Sequence, residues 1–535
     1  MSFQYTRAGC FAAGSCSFHL NRYLWSMPVI GALIKQGLKL GSRVRLRATS
    51  PELQQQKELK KLLMKAKDTA FGKHYGFSEI LSSGSHVENF QQRIPFHNYN
   101  SIHDQWWHRC LKEEENVCWP GYVKYFALSS GTSEAASKHI PVTRDMMKSL
   151  KKASIRQILT LGKYDLPAEF FEKGILWLGG STDLKKHGGY YEGDVSGISA
   201  RRVPIWFQRY YKPGKNLRLE KDWNQKLEEI TRQAKDWDIG IITGVPSWVQ
   251  LLFEKIMDRY QVQSIHEIWP NLQVYVHGGV SFEPYRKTFS RFFSKKVHFI
   301  EVYPASEGFI AFQTEPDVQH MKLVLNNGIF YEFVPFNERN FNNSGELLPN
   351  AESLTVSQVI AGVDYAILLS TCAGAWRYLI GDTVRFTHVE KAELQITGRT
   401  KHFLSLVGEH LSVDNMNRAV DRLSGEFNVD FSEFCVAGIP AEGSFAHHWY
   451  LGINGDARPD TQALAKRLDD LLKELNDDYA VERASALKDL RLELIPVNHF
   501  YEFMTSNGRL GGQNKFPRVL KSTQLEDWKS FLIGK

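Results

Sequence analysis

Val297-His-Phe-Ile-Glu-Val-Tyr-Pro-Ala-Ser-Glu-Gly308 is the stretch on which the fold turns. A short apolar run ends at Val302 and Tyr303, and the chain then breaks at Pro304 into small and polar residues, the pattern of a buried strand running into a turn. Two more such runs lie upstream, Ile175 to Leu178 and Leu272 to Val276, bounded by Gly or polar residues. Helical patterns alternate with them. Pro246 heads a helix with Trp248, Val249, Leu252, Phe253 and Ile256 on one broad face. Ser50-Pro51-Glu52 offers a cap, a first-turn proline and a favourable charge to a helix carrying Leu59, Leu62, Leu63 and Ala66. Strand and helix in alternation predict an α/β class. From Ile329 to Ile396 the pattern becomes β-branched and aromatic with little helical period, which predicts a barrel-like or strongly twisted antiparallel subdomain. After Gly398 it changes again. Ser412 caps a helix (Met416, Ala419, Val420, Leu423), strands follow near Phe434 to Ile439 and His448 to Ile453, then a helix (Leu464 to Leu475) and a strand from Arg491 to Val497. We read residues 27–397 as a large domain, 398–402 as a hinge and 403–535 as a small α+β domain.

The chain has 535 residues, 43% of them hydrophobic, enough for a large core and at least two domains. Its net charge of +7 comes from 66 basic and 59 acidic residues spread thinly, without the basic block of a nucleic-acid face. Six scattered cysteines (Cys10, Cys16, Cys110, Cys118, Cys372, Cys435) form neither a disulfide framework nor a metal motif, and a reduced, cytoplasmic compartment is expected. No apolar run reaches the roughly 18 residues of a membrane span. Residues 1–26 are rich in Ser, Gly and Cys and are expected to be disordered or to precede the true start. Met27 opens an amphipathic segment (Val29, Ile30, Leu33, Ile34, Leu38) expected to pack on the domain.

Four segments carry chemistry. Leu128-Ser-Ser-Gly-Thr-Ser133 clusters hydroxyls around a glycine, so that backbone N–H groups and hydroxyls could converge on phosphate oxygens; taken alone, a plain loop is the simpler reading. In Tyr303-Pro-Ala-Ser-Glu-Gly308 the ring could stack on a purine, Ser306 bind the α-phosphate and Glu307 hold magnesium, unless the segment is only a strand-ending turn. Trp376-Arg-Tyr-Leu-Ile-Gly-Asp382 places an acid after a turn glycine, suited to ribose hydroxyls. Near the C-terminus, Asn507-Gly-Arg-Leu-Gly-Gly-Gln-Asn-Lys515-Phe-Pro-Arg518 is a glycine loop ending in a lysine that could carry charge into a distant site.

In identity, order and spacing these segments resemble the Gretchen Hagen acyl-acid amido synthetases, within the luciferase-like adenylate-forming superfamily, from about Met27 to the C-terminus. By that resemblance Ser129, Ser130, Gly131, Thr132 and Ser133 are a phosphate loop, Tyr303 to Glu307 an adenylate motif, and Gln513 to Arg518 the family's lysine-bearing segment. His277-Gly-Gly-Val280 matches the glycine segment that contacts adenine, through Gly279. Two departures stand out. Ala135 occupies a position where relatives often have glycine, and Lys401-His402 replaces the Asp pair of acyl-CoA ligases.

The resemblance implies a luciferase-like fold and an ATP- and Mg2+-dependent ligase. A small carboxylic acid would attack the α-phosphorus of ATP, pyrophosphate would leave, and an amine or amino acid would then take the acyl group. Glu307, as metal ligand, and Lys515 are the expected catalytic residues, with Asp382 and Arg399 on the ribose. Trp248 and its neighbours are a candidate acyl pocket. A monomer is expected, with no nucleic-acid partner. The rival readings are an acyl-CoA or carrier-protein thioester ligase and a non-catalytic nucleotide-binding relative.

Overall fold

The computed structural model describes residues 29–43, 49–129, 138–201, 208–279, 282–342, 345–400, 403–404, 406, 409, 411–441, 444–455, 459–476, 479–480, 483, 487–507 and 516–534. The reading of residues 1–26 and of Met27, together with Ser130, Gly131, Thr132, Ser133, Ala135, Lys401, His402 and Lys515, lies outside the described residues.

The first long helix begins where its caps predict. The Ser50 hydroxyl accepts a hydrogen bond from the Leu53 amide at 3.3 Å, Pro51 occupies the first turn, and the helix Pro51–Ala66 buries Leu59, Leu62, Leu63 and Ala66. The preceding helix, Val29–Arg43, packs on the domain through Leu38 and through the Gly31 amide, which donates to Glu172 at 2.8 Å. Leu33 and Ile34, expected on its buried face, are instead 64% and 40% exposed. The helix is anchored by one edge rather than by its whole apolar stripe.

Strands β1 (Tyr125–Ser129), β2 (Lys138–Val142), β4 (Lys185–His187) and β5 (Tyr190–Gly193) form a small sheet in the order β2-β1-β5-β4. The main sheet has eleven strands among the described residues. Its parallel half uses β3 (Gly174–Leu178), β6 (Tyr211–Lys212), β7 (Ile239–Gly244), β8 (Val274–Gly278) and β9 (His298–Ala305). Its antiparallel half uses β10 (Gly308–Phe312), β11 (Met321–Leu323), β12 (Ile329–Pro335), β13 (Asp364–Thr371), β14 (Tyr378–His388) and β15 (Glu393–Arg399). The strand order is β12-β13-β14-β15-β11-β10-β9-β8-β7-β3-β6. The region from Ile329 to Ile396 is therefore antiparallel, as its composition predicts, and short β11 joins it to the rest of the sheet. In the Pro246–Tyr260 helix, Trp248, Val249, Leu252, Phe253 and Ile256 are all buried.

After a two-stranded ribbon, β16 (Phe403–Leu404) with β17 (Leu411–Ser412), the C-terminal sheet contains β18 (Glu433–Ala441), β19 (Ser444–Ile453), β20 (Leu487–Pro496) and β21 (Val519–Leu520). Its two faces separate by strand alternation. Phe434 and Val436 join a core with the helices Val413–Phe427 and Thr461–Leu475, whereas Cys435 and Ala437 share a core with Trp248, Phe253 and Phe289 of the large sheet's helices. Among the described residues, no helix is long and apolar enough to cross a membrane, and the described cysteines Cys110, Cys118, Cys372 and Cys435 are buried free thiols.

Candidate active site

Ala305 pairs with Gly308, so Ser306 and Glu307 are the two residues of a tight β9–β10 hairpin. The turn fixes two directions at once. Glu307 folds inward and is buried, and Ser306 stays half-buried at the rim. Three residues before Ser306, Tyr303 sits in the sheet with its ring almost fully covered, and its hydroxyl donates to Asp382 Oδ2 at 2.7 Å. Asp382 in turn faces Arg399 across the β14–β15 ladder, and the guanidinium Nε reaches Asp382 Oδ1 at 2.8 Å. Arg399 also donates to the Ile380 carbonyl at 3.3 Å. The backbone enters Asp382 through Gly381 at φ +86°, a left-handed conformation that a side chain would strain.

Glu307 is the electrostatic centre of this cluster. Burial pushes its carboxyl up to about 7, and the negative charge of Asp382 adds to the effect. Its own backbone N–H and the positive charges of Lys138 and Arg399 pull in the opposite direction without cancelling it. The Tyr378 hydroxyl hydrogen-bonds Glu307, and burial, followed by that carboxylate's charge, raises the phenol well above its ordinary value. A carboxylate that costs this much to keep ionised, flanked by a second carboxylate, is one that a divalent cation would stabilise. The residues present thus fit a divalent cation.

Ser129 ends β1 opposite Lys138, the first residue of β2, so the segment 130–137 joins paired strand ends. Through Lys138 those ends reach the electrostatic neighbourhood of Glu307. Gly279 is exposed and lies one residue beyond the Gly278–Val302 pair, beside the strand that delivers Tyr303. Gly278 itself is required by that pairing, because a Cβ there would stand 2.2 Å from the Val302 carbonyl oxygen. Trp248 stacks edge-on against Trp223 at 4.9 Å inside the core, which gives it a packing role and not a place in the candidate pocket.

Sequence reasoning missed two residues of the cluster. Lys138 was legible as a cation directly after a hydroxyl-rich loop. Tyr378 lies within a quoted motif, but its contact with Glu307 depends on the register of β14. Arg377, in the same motif, faces away from the cluster. It pairs with buried Glu332 at 3.0 Å, donates to the Gln91 and Ile94 carbonyls at 2.6 and 2.7 Å, and stacks over Phe96 at 4.2 Å. Arg518, at the foot of the Lys515 segment, is also structural: it donates to Glu433 at 2.6 Å and to the Phe434 carbonyl at 2.9 Å.

The chain is 24% identical over 341 residues to the indole-3-acetic acid-amido synthetase GH3.4 of Arabidopsis thaliana, covering 57% of this chain and 56% of that protein. It is 28% identical over 278 residues to the jasmonoyl–L-amino acid synthetase GH3.5 of Oryza sativa subsp. japonica, covering 48% and 47%. The chain thus spans about half the length of the curated relatives it matches. Its fold is similar to that of the solved GH3.15 acyl acid amido synthetase in complex with 2,4-DB, with a TM-score of 0.72 at 16% identity over 90% of this chain and 93% of that one. A 2-hydroxyisobutyryl-CoA ligase in the postadenylation state follows at a TM-score of 0.53 and 13% identity, covering 90% and 91%. These likenesses show that the architecture is a luciferase-like fold. Models of the GH3 family N-terminal, central and C-terminal domains match residues 42–225 with 181–298, 322–399 and 414–524 in turn, and the chain belongs to the GH3 family.

Proposed function

We propose that this chain joins ATP to a small carboxylic acid, releasing pyrophosphate, and then passes the acyl group from the mixed anhydride to an amine or amino acid, releasing AMP. One observation carries the reading. Tyr303 and Asp382, 79 residues apart in sequence, are hydrogen-bonded beside buried Glu307 and the guanidinium of Arg399. The relatives' names, an indole-3-acetic acid-amido synthetase and a jasmonoyl–L-amino acid synthetase, support an acid and an amino acid as the two substrates.

In this reading Asp382 orients the ribose. Tyr303 and Arg399 each engage one of its oxygens, which leaves an acceptor position on both. Gly279 and Tyr303 border the adenine, Ser306 the α-phosphate, and Ser129, Ser130, Gly131, Thr132 and Ser133 the outer phosphates. Glu307 holds magnesium, which when bound offsets phosphate charge. Lys515 brings a positive charge to the reacting oxygens, and donors of this kind are each worth about 2.7–4 kcal/mol. Residues 27–397 form the large nucleotide-binding domain, 398–402 the hinge, and 403–535 the small domain that closes over the anhydride and excludes water. The buried free thiols support a reducing, cytoplasmic compartment.

A second reading, thioester formation on CoA, is supported by the likeness to the 2-hydroxyisobutyryl-CoA ligase fold. A panel of small acids incubated with ATP and magnesium, then offered either amino acids or CoA, separates the two. Amide formation is expected. Thioester without amide would replace the acceptor, and no acid-dependent AMP at all would remove the function.

A further inference from the structure

At the far end of the β14–β15 hairpin from Asp382 lies a second cluster that the nucleotide reading does not use. His388 closes β14 and pairs with Glu393 at the start of β15; His320 immediately precedes β11, whose Lys322 pairs with Glu393 from the other side. Six residues of strand separate His388 from Asp382, about 20 Å at the usual rise. Three ligand-bearing side chains from adjacent strands thus meet over one spot.

We propose that His320, His388 and Glu393 form a binding site for a zinc-class divalent cation. One potential ligand atom from each of the three lies within 4.8 Å of the others. His320 Nε2 stands 3.3 Å and His388 Nδ1 3.1 Å from Glu393 Oε2. Ligand atoms bound about 2.0–2.1 Å from a tetrahedral zinc ion are separated by roughly 3.3 Å, so these spacings are the edges of such a tetrahedron. Hydrogen bonding does not account for them. Glu393 Oε2 is buried and has no hydrogen-bond donor, although both imidazoles face it. A buried carboxylate oxygen at ion-pair distance from two imidazoles yet without a well-aligned hydrogen bond is costly, and a cation between it and the two rings would satisfy all three groups.

Two imidazoles and a carboxylate suit zinc or cobalt better than magnesium. His388 is half-exposed, which gives solvent access and room for water to complete the coordination. The consequence is mechanical. β11 has only three residues and is the seam that joins strands β12 to β15 to the rest of the main sheet. A cation held by His320 on one side and by the β14–β15 turn on the other would pin that seam, about 20 Å along the strand from Asp382.

The test uses the full chain without an affinity tag, stripped with a chelator and titrated with Zn2+ and then Co2+. One saturable equivalent per chain is expected, with a rise in melting temperature and a visible tetrahedral spectrum for cobalt. His388→Asn, His320→Asn and Glu393→Gln should each weaken zinc binding at least as much as the loss of an outer-shell partner does, roughly 10–100-fold. Melting in the absence of metal reports whether each variant folds, and exposed His388 is the substitution least able to disturb the core. Zinc binding of equal affinity in the parent and in the His320→Asn/His388→Asn pair would overturn the proposal. So would a parent chain that takes up no zinc.

Discussion

Asp382 and Arg399 stand opposite each other in the β14–β15 ladder and close a 2.8 Å ion pair at the point where the chain leaves the main sheet. The same carboxylate accepts the Tyr303 hydroxyl at 2.7 Å from β9. Three strands are thus tied together by one acid, which presets its orientation before any ligand arrives. Both partners are replaceable singly, so each contribution can be measured.

Tyr303→Phe removes one charge-assisted donor, a contact worth about 1.5–3 kcal/mol when fully buried and less for half-buried Asp382. We expect KM for ATP to rise by roughly tenfold with the fold intact, tenfold corresponding to about 1.4 kcal/mol. A steady-state titration of ATP checks this, and an unchanged KM would detach the pair from the nucleotide.

Glu307 should leave a signature in the pH dependence of stability. Its carboxyl rises from 4.5 to about 7 on folding. The folded chain therefore binds this proton more tightly than the unfolded chain does. The favourable contribution is fully present below pH 4.5 and is lost as pH rises through 7. Glu307→Gln escapes that loss, so urea unfolding should show the variant gaining on the parent between pH 4.5 and 7.5, by up to about 3 kcal/mol. A difference that stays flat over this range would contradict the assignment.

Arg377 and Glu332 predict a non-additive pair. Both are nearly inaccessible, with side chains 5% and 1% exposed. Arg377→Leu strands a buried carboxylate and should cost about 3–5 kcal/mol, whereas Arg377→Leu/Glu332→Leu should recover much of that loss. Equal destabilisation in the single and double variants, read from denaturant melts, would remove the ion pair as the cause.

The helix Glu283–Phe292 is held to β18 by a buried contact in which the Tyr285 hydroxyl donates to Glu433, itself paired with Arg518 at 2.6 Å. If the small domain moves between half-reactions, this contact must be exchanged. Tyr285→Phe should leave pyrophosphate exchange near its parental rate and shift the rate of amide formation by about threefold or more. A constant ratio of the two rates would mean that the contact survives the whole cycle.

Much of this architecture is legible in the chain itself, for reasons that differ by element. Ser50-Pro51 and Ser412 mark helix starts because caps are local chemistry, and both helices begin there. The apolar run before Tyr303 is a strand because its burial pattern is local too. The partnership of Tyr303 with Asp382 is not local. It depends on β9 and β14 being carried to one place by β10, β11 and β15 between them. Arg377 carries the same limit in reverse: it stands in a site-bearing motif, yet β14 turns it toward Glu332 and the core. The sequence suggests Trp248 for a pocket wall, but it lies against Trp223, since an aromatic on a helix's apolar face is first of all core. The His320, His388 and Glu393 cluster has no spacing motif, and only the sheet order assembles it.

Activation of an acid with ATP is the role we propose for the Glu307 cluster. Acid-dependent exchange of labelled pyrophosphate into ATP, measured for the parent and for Glu307→Gln at saturating magnesium, addresses it most directly. We predict exchange in the parent that requires the acid and falls by at least about 100-fold in the variant, the scale set by losing one preorganised electrostatic group. Equal exchange in both proteins, or exchange that ignores the acid, would contradict it.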